Sequence, residues 1–173
     1  MTNFLNAPHK EEARTEVRFG LIDKEEEGLA KSTAKNTEDW IAEVKNSEEL
    51  EVYFTAVDKK IVVFKEGTED DKESSCDGLL QSPDSFILVE LKDRAPNKRN
   101  ADIKKGKKQL RNTIKLIKAN HKEEEISALP KLKIAHISNK QRRTPITLIT
   151  ASKEFLHETG FQLVVDRKIK IKK

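Results

Sequence analysis

Hydrophobic and polar positions change period several times along this 173-residue chain. Phe86-Ile87-Leu88-Val89 is a continuous apolar run of the kind found in a strand buried on both faces. Ser82-Pro83-Asp84-Ser85 before it are turn-forming residues, and residues 76–81 read as a shorter strand. The pattern therefore predicts a β-hairpin whose second arm spans 86–92. Upstream, residues 16–22 alternate, with Val17, Phe19 and Leu21 on one side, and predict another strand. Residues 11–14 read as the start of a short helix, and the polar stretch 24–36 as a loop or frayed helix. Thr37 has the chemistry of an N-cap, with Glu38 and Asp39 in the first turn, so a helix is expected over 38–46 presenting Trp40, Ile41 and Val44 to a core. Residues 51–57 and 61–65 predict an antiparallel hairpin around a turn at 58–60, followed by a polar loop over 66–75.

Beyond the central hairpin the period lengthens to that of a helix. Ile103, Leu110, Ile114 and Ile117 line one face of a helix expected over 101–120. Residues 132–138 form the next strand, which a right-handed crossover would set parallel to 86–92. A strand over 145–150, a helix over 152–159 closed by Gly160, a strand over 161–166 and a lysine-protected edge strand in the tail complete the pattern. The expected class is α/β, with a mixed central β-sheet flanked by helices. Residues 1–36 read as an N-terminal extension with a short strand, and 37–173 as the α/β domain, one domain overall.

Charge changes the picture at one place. Glu90 and Lys92 directly follow the buried run, and an interval of two puts them on the same side of the strand. The other arm of the hairpin brings Asp77 towards Glu90. Two carboxylates forced together repel unless a cation sits between them, and a hard divalent ion held by one or two carboxylates answers that need. The (Asp/Glu)-x-Lys triplet alone says little. Six occur, starting at Glu43, Asp58, Asp70, Glu90, Asp102 and Asp166, against about four or five expected by chance from such a composition. Only the one at Glu90 ends an apolar strand, follows a hairpin bearing an acid and precedes an amphipathic helix.

Asp77, then Glu90-Leu91-Lys92 on the next strand, then a helix containing Gln109, resembles the PD-(D/E)XK, restriction-endonuclease-like, nuclease superfamily. The resemblance covers roughly residues 51–137. It implies a restriction-endonuclease-like core in which Asp77, Glu90 and the backbone carbonyl of Leu91 bind Mg²⁺ or Mn²⁺ and Lys92 serves the attacking water. It implies a glutamate from an N-terminal helix, for which Glu43 is the first choice and Glu49 the second, and a role for Gln109. The fifth position of the Gln-x-x-x-Tyr pattern carried by some relatives is here Thr113, and Cys76 stands where the family name has proline. The implied activity is metal-dependent hydrolysis of nucleic-acid phosphodiesters, with DNA preferred over RNA. The rival is a catalytically silent fold of the same kind, binding nucleic acid or protein as a subunit of a larger complex. Pairing into a homodimer is a further expectation.

Composition bounds these readings. Apolar residues make up 35% and charged residues 37%, so the core must be economical and the surface heavily charged. The net charge of +4 spreads over 34 basic and 30 acidic residues, which is a mixed surface and not a polycation. Basic groups do cluster beside the candidate site. Arg94, Lys98 and Arg99 form a loop after Lys92, Lys104, Lys105 and Lys108 lie on the following helix, and Arg142 and Arg143 follow the 132–138 strand. All are candidates for phosphate contact, an interaction that weakens with salt. One cysteine excludes an internal disulfide and a Cys-rich zinc site and suits a reducing, cytoplasmic compartment. No glycine-rich phosphate loop or His-Glu-x-x-His motif is present. His136 reads as a packed strand histidine.

Overall fold

The computed structural model describes residues 3–24, 29–68, 71–93, 99–141 and 146–173. Its strands, in chain order, are β1 (Arg18–Lys24), β2 (Leu29–Thr33), β3 (Ala42–Lys45), β4 (Tyr53–Ala56), β5 (Gly78–Gln81), β6 (Ser85–Lys92), β7 (Leu132–Asn139), β8 (Gln162–Val165) and β9 (Lys168–Lys170). The helices are α1 (Arg99–Asn120), α2 (Glu123–Ser127) and α3 (Ile149–Thr159). Among these residues no helix is long and apolar enough to cross a membrane.

The fold is mixed α/β, built around a sheet ordered β4-β5-β6-β7-β8. β4, β5 and β6 run as an antiparallel meander, and β7 and β8 add in parallel through α1 and α3. Every residue of β6 is buried, as its unbroken apolar run requires. Its side chains divide by parity. Phe86 and Leu88 join Leu79, Ala135, Ile137 and the α1 residues Ile103, Leu110, Ile114 and Ile117 in one core. Ile87, Val89 and Leu91 join a second core against a four-stranded sheet ordered β2-β1-β3-β9. The molecule is therefore layered as helices, central sheet, second sheet, with β6 in the middle of all three. Each large side chain so buried contributes about 1.5–3 kcal/mol of transfer free energy, which explains how a chain with few apolar residues holds two cores.

The hairpin turn fits its sequence. The Ser82 N–H donates to the Ser85 carbonyl at 2.9 Å, the two hydroxyls meet at 2.6 Å, and Gln81 pairs with Phe86. Gly160, at φ 79°, closes α3 by donating to the Leu156 carbonyl at 2.8 Å.

Several local expectations give way to strands. Residues 38–46 are not a helix: a single 3₁₀ turn, Thr37–Asp39, precedes β3, whose burial alternates. Trp40, Ile41 and Val44 suit a helical face, but Trp40, Ala42 and Val44 also satisfy a period of two, and pairing with β1 and β9 decides between the two readings. The polar 24–36 segment contains β2, which pairs antiparallel with β1. Thus the region before residue 37 supplies two strands of the second sheet. Residues 11–14 are not helical, and Arg14 forms a bridge with Val52. The 51–57 strand does not pair with 61–65. β4 pairs with β5, while Lys59 at φ 62° turns the chain and Ile61 drops into the core. In place of a strand over 145–150, Ile146 makes one bridge to Val165 and α3 begins at Ile149.

Trp40 shows how tightly the second sheet is fitted. Its indole lies on the backbone of Gly20 in β1, where a Cβ would meet the ring at 2.1 Å, and its Nε1–H donates to the Lys35 carbonyl at 2.9 Å. Gly20→Ala should therefore cost about 1–3 kcal/mol through forced displacement of the ring. At about 2–4 °C per kcal/mol for a chain of this size, calorimetry should record a clear fall in Tm. An unchanged Tm would mean that Trp40 does not sit there.

Candidate functional site

Three charged side chains come together where the apolar part of β6 ends. Gly78 pairs with Val89, so Asp77, one residue before β5, lies opposite Glu90. Glu90 is fully buried at 0% exposure and Lys92 nearly so at 8%. Both share the helix-facing side of β6 with Phe86 and Leu88, as strand parity dictates. α1 can close over them because residue 106 is glycine. A Cβ there would come within 3.0 Å of Ile137 Cδ1 and 3.4 Å of Glu90 Cγ.

The polar contacts are specific. The Leu91 N–H donates to Asp77 Oδ2 at 2.5 Å. Lys92 Nζ donates to Glu90 Oε1 and, at 3.3 Å, to Gln109 Oε1. The Gln109 amide in turn donates to the Ser75 carbonyl at 3.1 Å, tying the ammonium to the loop before Asp77. Glu90 Oε2 is buried with no hydrogen-bond partner among the described residues. Asp77 alone of the three keeps part of its surface towards solvent.

These surroundings shift both acids upward. Burial pushes the Asp77 carboxyl up to about 7, against the pull of the Leu91 N–H and the Lys92 ammonium. Burial first, and then repulsion from Asp77, push Glu90 up to about 8, although Lys92 opposes the shift. Among the described residues the two carboxyls have one ammonium and are short of positive charge, and a proton makes up the deficit when nothing else does.

The structure thus brings together Asp77, Glu90, Lys92 and Gln109, and Leu91 contributes its N–H. It removes Glu43. That residue lies on β3 in the second sheet, where its Oε1 accepts from Arg18 Nε at 2.7 Å. Glu49 is exposed in the loop after β3. The acids whose charges bear on the buried pair are Asp58, which acts on both carboxyls, and Asp23, which acts on Asp77. Sequence reasoning missed both, because Asp58 reads only as a turn residue and Asp23 belongs to a strand distant in the chain. Among the described residues no three His, Cys, Asp or Glu side chains are arranged to hold a metal ion together.

The basic residues divide. Lys104, Lys105 and Lys108 are exposed on α1. At about 100° per residue, however, Lys104 and Lys108 point roughly 160° away from Gly106, which faces the acids, while Lys105 lies on the flank. With Lys107 and Arg111 they line a shallow hollow on the far side of the helix. Arg99 opens α1; Arg94, Lys98, Arg142 and Arg143 lie outside the described residues. Buried His136 bonds through Nε2 to the Asp166 carbonyl at 2.8 Å, and burial lowers its pKa to about 4, so it is neutral and structural. Burial pushes the Cys76 thiol up, which leaves it a packing group and not a nucleophile.

No protein-family model, curated protein or solved structure matches this chain. The site therefore rests on its own geometry.

The raised carboxyls set a pH dependence. Unfolded carboxyls titrate near pH 4. Between there and the raised values the folded protein holds protons that the unfolded chain has released, so stability falls as pH rises from about 4 to about 8 and the full penalty remains above that. Asp77→Asn keeps the acceptor for Leu91 and leaves Glu90 balanced by Lys92. In EDTA it should raise Tm over wild type by several degrees at pH 9, at about 2–4 °C per kcal/mol, and by much less at pH 5. A difference of equal size at the two pH values would contradict the buried-acid account.

Proposed function

We propose that the protein hydrolyses phosphodiester bonds of nucleic acid, DNA in preference to RNA, using Mg²⁺ or Mn²⁺ at Asp77 and Glu90. The observation that carries this reading is the buried Oε2 of Glu90, which among the described residues has no partner and lies beside a second acid and a single ammonium. Hard oxygen donors suit a hard cation, and an ion that keeps most of its waters needs only one or two protein carboxylates. The order of elements supports the resemblance to restriction-endonuclease-like nucleases: a strand preceded by Asp77, a strand ending in Glu-x-Lys, then a helix bearing Gln109.

When bound, the ion would polarise the phosphoryl oxygen and lower the pKa of a water. The chain's own groups do the rest. Asp77, fixed by the Leu91 N–H, presents its carboxylate at the solvent side of the pair. Lys92, aimed by Glu90 and Gln109, places a fixed positive charge where a non-bridging phosphate oxygen gains charge as water attacks phosphorus and the bond to the leaving oxygen breaks. Ile137 lies beside Glu90 under Gly106, and with Leu88 and Leu110 it belongs to the apolar core on that face of the sheet, a low-dielectric surrounding that strengthens the charges at its edge.

A second reading, a subunit that binds without cutting, gains support from the lack of a third converging acid among the described residues and from the lysine face that looks away from the pair. One experiment separates the two. Plasmid should be nicked or cut with Mg²⁺ or Mn²⁺, and Asp77→Ala and Lys92→Ala should each lower the rate at least about 100-fold while their circular dichroism melts remain cooperative. Salt-sensitive binding with no cleavage at any metal concentration would establish the second reading instead.

A further inference from the structure

Asp58 stands where the first three strands of the central sheet end side by side. β4 pairs with β5 through Ala56 and Gly78, and one step further the Val57 N–H donates to the Asp77 carbonyl at 2.9 Å. Asp58 is thus one residue past the neighbour of Asp77, and Asp77 is itself opposite Glu90. The turn that carries it is held from both ends. Lys59 adopts φ 62°, the Ile61 N–H donates to the Val57 carbonyl at 2.9 Å, and Ile61 is anchored in the core. Asp58 itself is exposed, and no hydrogen bond or ion pair engages it among the described residues. Independently of these acids, Glu90 Oε2 is buried with no hydrogen-bond partner among the described residues.

We infer that Asp58 is the outer acid of the site, drawing a divalent cation to Asp77 and Glu90 and holding one of the waters such an ion retains. It takes the part that the resemblance gave to Glu43. The contact runs across a water because no three acids converge directly among the described residues. Asp58 is a positioning residue, and the inference rests on the metal reading above.

The test is calorimetric titration of MnCl₂ into the full chain after EDTA treatment, with Asp58→Asn, Asp58→Glu, Glu43→Gln and Asp77→Asn compared with wild type. Groups that act on a metal from outside its direct ligands typically change affinity by about 10–100-fold. Asp58→Asn should weaken Mn²⁺ by about tenfold, Asp58→Glu should restore most of the affinity, and Glu43→Gln should stay within about twofold of wild type. A Tm in EDTA unchanged by Asp58→Asn shows that the loss is not one of folding. Wild-type affinity in Asp58→Asn, with binding lost in Asp77→Asn, overturns the role of Asp58 and leaves the site standing. Absence of Mn²⁺ binding in wild type, or binding indifferent to Asp77→Asn, overturns both.

Discussion

Among the described residues, two acids and one ammonium are packed into a dry corner where they cannot all be satisfied, and the architecture around Asp77, Glu90 and Lys92 bears on that shortage. The hairpin register sets it up: a slip of one residue between β5 and β6 would turn Glu90 and Lys92 towards the second sheet and dissolve the cluster. Gly106 lets α1 come close enough to exclude water from Glu90, and Gln109 spans from the ammonium to the Ser75 carbonyl. With both carboxyls ionised the trio carries one net negative charge. A proton neutralises it, whereas a divalent cation reverses its sign and makes it attractive to a phosphate.

The layered fold explains why this tension is tolerated. β6 is clamped between α1 on one face and the second sheet on the other, so its direction is fixed by apolar contacts that continue to Leu91 on the second-sheet face and, along the strand's α1 face, stop at Leu88, just before Glu90. Removing one partner of a buried charge pair is costly, yet the pair itself contributes little net stability. The polar end of β6 is consequently a site where stability is given up locally and supplied by the two cores. The lysines of α1 belong to a different surface. Gly106 and Gln109 face the acids, while Lys104 and Lys108 face outward on the opposite side of the same helix.

The legible parts of this arrangement were the local ones. A short hairpin fixes its own register, so Asp77, Glu90 and Lys92 could be placed together from spacing alone, and the parallel return of β7 followed from the crossover rule. His136 also read correctly, because a histidine inside an apolar strand has few uses other than packing. Partners distant in sequence escaped. The segment around Trp40, Ile41, Ala42 and Val44 fits two periodicities, and its strand character comes from β1 and β9, the latter more than a hundred residues away. Glu43 was lost from the site with the helix that was to carry it. Asp58 could not be singled out, because its place beside Asp77 comes from β4 pairing with β5 instead of with the segment that follows it.

The central claim is that the cluster lacks one positive group and will accept a divalent cation there. Anomalous diffraction from crystals grown in millimolar Mn²⁺ tests it most directly. A manganese peak between the Asp77 and Glu90 carboxyls, in contact with Glu90 Oε2, is the predicted result. Crystals showing manganese elsewhere, or none, with Glu90 still joined only to Lys92, would contradict the account.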